Sequence, residues 1–347
     1  MSETLLKAGP SPEAEALARR YLNLAQPRLG ATVVYASDDF FAPKERLIDP
    51  RPPVFIPDKY DDNGKWMDGW ESRRKREPGH DIAIVRLGRR GRIRAVDVDT
   101  SHFTGNYPPA ASLQGCISED AIPGEDARWR ELVPRTELSG DSHHVIEIAD
   151  DGISTHLRLN IYPDGGVARL RVFGEVDVDW RREAAGEEID LAALGLGARA
   201  LAWSDAHYGS PDNILAPGRG VDMGDGWETR RRREPGNDWI IVALAHPGEI
   251  ARVVVDTAHY KGNYPAACSL RAALVPDASV RTLEAGSASW PLLLPEQSLQ
   301  PDSEHFFSLE GRSVGPVSHV RLDIFPDGGI GRLRLFGRPS LEEEGLP

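Results

Sequence analysis

The sequence predicts an all-β protein: two tandem jelly-roll β-sandwich domains preceded by a short N-terminal helix. Three observations predict it. Four sequence blocks occur twice in the same order. Within each copy the apolar residues alternate with period two, the period of a strand with one buried face. The 34 Gly and 27 Pro residues of the 347 cut those runs into short segments, as turn-linked strands of a sandwich require. Such a length exceeds the roughly 100–200 residues of one domain, so two cores are expected.

At the N-terminus, residues 1–28 form an extension in which Ser11 can cap a helix with Pro12 in its first turn. Ala14, Leu17, Ala18, Tyr21 and Leu22 make its apolar stripe, which predicts packing on the first sandwich. The first copy, residues 29–176, opens on Ser37-Asp38. It continues with Asp68-Gly-Trp-Glu-Ser-Arg-Arg-Lys-Arg-Glu-Pro-Gly-His-Asp81 and Asp99-Thr-Ser-His-Phe-Thr-Gly-Asn-Tyr-Pro108, and closes on His156 to Gly174 with Tyr-Pro-Asp-Gly-Gly inside. In the second copy, residues 198–340, the same blocks return as Ser204-Asp205, Asp225 to Asp238, Asp256 to Pro265, and His319 to Gly337. Residues 177–197, acidic and alanine-rich, read as a linker with a short helix and a boundary near Asp190. The period is too long for a solenoid, so whole domains are duplicated.

The closing block shows why each copy is a sandwich. Leu157, Leu159 and Ile161 alternate with His156, Arg158, Asn160 and Tyr162, and after the turn Leu170 and Val172 alternate with Arg169 and Arg171. That is a hairpin with one buried face, and the face of Arg169 and Arg171 is expected to be solvated. Ile82, Ile84 and Ile93 to Val98 supply further strands.

A net charge of −13 repels phosphate backbones and anionic membranes, so neither nucleic acid nor membrane is an expected partner. The basic run Arg73 to Arg76 has acidic neighbours and is no polybasic patch. Cys116 and Cys268 fall at unmatched places in the repeat, which argues against a disulfide framework. The N-terminal residues lack the basic start and apolar core of a signal, and no apolar run is long enough to span a bilayer; a cytoplasmic location is expected.

Chemistry-bearing residues concentrate in the repeated blocks. Gly-Trp-Glu-[Ser/Thr]-Arg-Arg places Glu71, Arg73 and Arg74, and again Glu228, Arg230 and Arg231, within a few residues. An arginine fork suits a carboxylate, and a glutamate accepts from N–H donors. Self-paired charges on an exposed loop are the competing reading, weakened by near-verbatim return of the block. Trp70 and Trp227 are either a platform for a ligand or packed anchors. The second block sets Asp99, His102 and Asn106 around a Thr-Gly turn, with Asp256, His259, Lys261 and Asn263 as counterparts. Aspartate beside histidine can move protons near neutral pH, or the same residues can simply fold the turn. No His-Glu-x-x-His, cysteine cluster or calcium loop appears, and turn chemistry explains Asp164 and Asp327.

These blocks, together with Ser37-Asp-Asp-Phe-Phe-Ala-Pro-Lys-Glu45 and the two Pro-Asp-Gly-Gly-to-Phe-Gly endings, resemble the allantoicase family from about Leu29 to Gly337. The resemblance implies a tandem galactose-binding-like jelly roll, allantoate as substrate, a role in purine (allantoin) degradation and a homo-oligomer. It leaves a divalent metal such as manganese open. Allantoate carries two ureido groups beside a carboxylate, so cleavage needs proton donation to departing urea and water at the central carbon. On that reading Arg73 or Arg74 holds the carboxylate, Glu71 and Asn106 orient the ureido arms, and His102 with Asp99 manages protons. The second set is Arg230 or Arg231, Glu228, Asn263, His259 and Asp256, with Lys261 where the first copy has Thr104. A tandem carbohydrate-binding-like module and a hydrolase of another ureido or guanidino acid are the alternatives, and the copies are not ranked as catalytic or structural.

Overall fold

A computed structural model describes residues 5–183, 185, 188–311 and 314–341. Two compact units result, Met1–Asp177 and Val178–Pro347. In the first, Ser11 caps the helix Pro12–Arg20 by accepting the Ala14 N–H at 3.1 Å, with Glu13 and Glu15 in the first turn and Arg19 and Arg20 in the last. Ala14 packs against Ala95 and Phe173, joined by Leu17, Tyr21 and Val145, so the apolar stripe docks on the sheet as expected.

Each unit is organised by one 19-residue strand. Asp81–Asp99 pairs through its first half with Ile153–Tyr162 and Thr32–Ala36, and through its second half with Arg169–Val176 and His143–Glu147. One strand thus serves both layers of the sandwich. The crossing is at Gly91, where an added Cβ would lie 2.3 Å from the Glu175 carbonyl oxygen, and there the register with Ile153–Tyr162 breaks. In the second unit Asp238–Asp256 does the same with Val317–Phe325, Arg199–Trp203, Arg332–Pro339 and Glu304–Ser308. Leu157, Leu159, Ile161, Leu170 and Val172 fill the first core, and Val320, Leu322, Ile324, Leu333 and Leu335 the second. Two tandem jelly-roll sandwiches with a short N-terminal helix are therefore borne out.

The edges of the copies fall earlier than the sequence suggested. Leu22–Asn23 pairs with Phe173 and Gly174, and Ile189–Asp190 pairs with Gly337 and Phe336. Each unit's sheet thus begins on a two-residue strand, ahead of the expected starts at 29 and 198. Runs that short carry no period to detect. The expected linker helix is the single turn Trp180–Glu183; residues 184, 186 and 187 lie outside the described residues.

One face was misjudged. Arg169 is 1 % exposed rather than solvated, with Nη2 2.9 Å from Asp68 Oδ2. Arg171 donates to the carbonyls of Asp49, Pro50 and Arg51. The chain from Asp49 to Asp68 covers that face, and long loops leave no periodic trace. Arg332 repeats the device with Asp225 at 2.7 Å. No helix among the described residues is long and apolar enough to cross a membrane.

Candidate active site

Four loops of each unit are tied into one cluster by reciprocal hydrogen bonds. In the first unit, Ser37 Oγ donates to Asp81 Oδ1 at 2.8 Å and accepts the Ile82 N–H. Asp38 then receives the Arg73 backbone N–H at 3.0 Å and pairs with its guanidinium at 2.7 Å. The Lys75 N–H donates to Asp164 at 2.8 Å, and the Gly166 N–H donates to the Asn106 carbonyl at 2.7 Å. The second unit repeats the pattern with Ser204 and Asp238, Asp205 and Arg230, and Arg232 and Asp327. Such repetition is what a solvated loop would not need.

Within the cluster Glu71 and Asn106 meet. Glu71 lies on the two-residue strand Trp70–Glu71, paired with Gly166–Val167. Gly166 is obligatory there, since its Cβ would sit 2.0 Å from the Phe103 ring. Asn106 Nδ2 donates to Glu71 Oε1 at 2.8 Å, and Asn263 Nδ2 to Glu228 Oε1 at 2.5 Å. Burial pushes the Glu71 carboxyl above its ordinary range, and the Asn106 bond offsets this only in part. Burial also raises the Asp38 carboxyl, but hydrogen bonds from Arg73 and nearby amides overcome it and hold Asp38 low. In the second unit Tyr260 donates its hydroxyl to the Met223 carbonyl at 2.7 Å, and its phenol is pushed up by burial and by the Glu228 charge.

The arginines divide into two kinds. Arg73 is held by Asp38 and lies over the Phe40 ring, and Arg230 Nε donates to His207 Nδ1 at 3.0 Å. Arg74 and Arg231 are exposed, with no hydrogen bond or ion pair to the described residues. In each adjacent pair one arginine is thus engaged within the cluster and the other is exposed.

Several expected site residues do other work. Trp70 and Trp227 are fully buried and donate their indole N–H to the carbonyls of Asp38 and Asp205, which makes them anchors for the loops and no ligand platform. Asp99 and His102 do not form a couple. Asp99 Oδ1 accepts the Ser101 N–H at 2.8 Å, and its imidazole neighbour is His143 at 3.9 Å. The His102 N–H instead donates to Asp141, with the residue at φ 68°, and its ring stacks on Phe55. Asp256 likewise accepts the Ala258 N–H and pairs with Arg219 at 3.2 Å, while His259 Nε2 lies 2.8 Å from the Gly220 carbonyl. Lys261 adds its charge to the His259 amide in holding Asp302 low. Three residues apart, one on a strand end and the other on a left-handed turn, the aspartate and histidine side chains diverge.

Asp38 and Asp205 were missed as organisers, although their recurrence after Ser37 and Ser204 was the signal. Asp97 and His143 were missed because the second copy has no counterpart. A metal does not fit the residues present. Among the described residues no three His, Cys, Asp or Glu side chains converge, and Asp164 and Asp327 are spent on backbone N–H groups.

Fold and site together define a two-unit jelly-roll protein that presents one carboxyl–amide loop site in each copy. A family model for the allantoicase repeat matches residues 22–177 and 189–340. The chain is 59 % identical to probable allantoicase 2 of Burkholderia pseudomallei, covering 94 % of this chain and 97 % of that one. It is 54 % identical to a probable allantoicase of Ralstonia nicotianae over the same shares. The crystal structure of allantoicase from Saccharomyces cerevisiae superposes with a TM-score of 0.80 at 35 % identity, covering 96 % of this chain and 100 % of that one. The chain belongs to the allantoicase family.

Proposed function

We propose that this chain hydrolyses allantoate to ureidoglycolate and urea, a step of allantoin degradation, and that the chemistry runs at the loop pocket of Glu71 and Asn106 and at its repeat, Glu228 and Asn263. Membership of a family of hydrolases acting on C–N bonds of linear amidines supports the reaction. The observation that supports the site is the buried Glu71 carboxyl, kept protonated to higher pH than an ordinary glutamate, beside an amide that can orient a ureido arm.

Arg74 and Arg231, without partners among the described residues, take the substrate carboxylate. Glu71 donates its proton to one ureido nitrogen as that C–N bond breaks and urea departs. The electron pair comes from the second ureido nitrogen, leaving an acyliminium carbon. Water adds to that carbon and returns a proton to Glu71, so one carboxyl closes the cycle without an aspartate–histidine couple. No step runs through a metal. Burial of Trp70 and Trp227 takes away two of the three tryptophans, the third being half-buried Trp66, that a carbohydrate-binding reading would use as a platform.

Two further readings extend this one. The resemblance to the family supports a homo-oligomer, which light scattering would measure. Two unpaired buried thiols, Cys116 and Cys268, suit the reducing cytoplasm. Purified protein given allantoate should release urea and ureidoglycolate; release from a guanidino acid but not from allantoate would redirect the substrate, and silence toward both would overturn the enzyme reading.

A further inference from the structure

The first unit contains a recess of about 250 Å³ away from the loop pocket. Its roof is the N-terminal chain around Gly9 and the proline-rich chain around Pro52, tied together where Leu6 and Lys7 pair with Phe55 and Val54. Its floor is the far half of the sheet. Asp97 and Asp99 are two residues apart on one strand and share a face, with Arg171 opposite Asp97 and His143 opposite Asp99. Both aspartates are at most 2 % exposed.

The cations on this floor are already engaged. His143 Nδ1 bonds Asp97 Oδ2 at 2.8 Å and Nε2 bonds the Gly9 carbonyl at 3.0 Å. The Asp97 carboxylate raises the imidazole pKa to about 9, so at neutral pH it is charged and donates through both nitrogens. Arg171 gives its terminal nitrogens to the Asp49, Pro50 and Arg51 carbonyls. Asp97 Oδ1, by contrast, is buried without a partner. An orphaned buried acceptor costs about 1–3 kcal/mol, so a guest that donates to Asp97 Oδ1 gains what the folded chain leaves unmet.

Asp97, Asp99 and the rim residue Glu15 against the cations His143 and Arg171 leave no excess of positive charge, which disfavours an anionic guest. A metal would lack ligands, since both imidazole nitrogens are spent. Pro10, Ala14, Pro53 and Phe173 make the apolar part of the wall and Glu15, Asn23 and Gln26 its polar part, and the space exceeds the roughly 30 Å³ share of one water. What fits is a flat neutral group with N–H donors along one edge. We propose that this recess binds a ureido-bearing small molecule, its N–H groups donating to Asp97 Oδ1 and Asp99. The inference goes beyond the loop-pocket reading and concerns the first unit alone. In the second unit Val254 and Glu304 occupy the cross-strand positions of Asp97 and His143, and Arg219 takes Asp256.

The test is calorimetric titration of the full chain with methylurea, a neutral molecule with a single ureido group. The Glu71→Gln/Glu228→Gln variant serves as background so that loop-pocket binding is separated. Binding should persist in that background, weaken at least tenfold on adding Asp97→Asn, and weaken on adding Ala18→Trp, which crowds the recess from an exposed rim position. If Asp97→Asn does not fold, the Ala18→Trp result decides. Absence of binding in the background, which leaves water to satisfy Asp97, or binding indifferent to the recess substitutions would overturn the proposal. Activity of the Glu71→Gln/Glu228→Gln variant bears only on the loop pocket.

Discussion

Asn106 donates to Glu71 at 2.8 Å, and this bond is what limits the rise that burial imposes on the Glu71 carboxyl. A general acid must carry its proton, so turnover through the first pocket should fall as pH rises through the raised Glu71 pKa. Removing the amide with Asn106→Ala should move that descending limb to higher pH while lowering kcat. A pH profile of kcat in the Glu228→Gln background checks it; a limb unmoved by Asn106→Ala would show that the amide does not act on the carboxyl.

Arg74 and Arg231 have no partner to lose among the described residues, so their removal should be felt by substrate and not by the fold. Arg74→Ala with Arg231→Ala should raise KM for allantoate about tenfold or more, the ~1.4 kcal/mol or greater of a charge-assisted contact, at an unchanged urea unfolding midpoint. Unaltered KM would remove the arginines from substrate binding.

His143 should make stability pH-dependent. Its pKa rises from 6.5 to about 9, chiefly through the bond to Asp97, with Asp99 adding to it. A raised folded-state pKa means that the stabilisation is complete below about pH 6.5 and is lost as pH climbs through about 9. Asp97, Asp99 and Arg171 are the charged groups around it on the floor. His143→Asn should therefore cost on the order of 2 kcal/mol at pH 6, a gap that narrows by pH 10 in denaturant titrations. An equal gap at both pH values would refute the linkage.

The buried pair of Arg169 and Asp68 should be expensive to break from one side. Arg169→Met leaves Asp68 uncompensated and should cost about 3–5 kcal/mol, while Arg169→Met with Asp68→Leu should recover part of that loss. Chemical denaturation of single and double variants measures it, and a double variant no better than the single would contradict the account.

Much of the fold could be read in the sequence because period-two runs such as Leu157, Leu159 and Ile161 and verbatim block repeats are local signals. Leu22–Asn23 and Ile189–Asp190 escaped because two residues have no period. Arg169 looked solvated because alternation tells which side a residue faces and not what a distant loop lays over it. The repeat pointed to Glu71 and Asn106 one by one and not to the bond between them, and the divergence of Asp99 from His102 depends on backbone direction at a left-handed turn. Asp97 with His143 occurs in one copy only, so comparing copies could not reveal it.

Steady-state urea release from allantoate by Glu71→Gln, Glu228→Gln and the double variant probes the loop pockets most directly. Each single change should lower kcat, and the double change should lower it by about 100- to 10,000-fold with the folded state intact by circular dichroism. Urea release from the folded double variant at the wild-type rate would place the chemistry elsewhere.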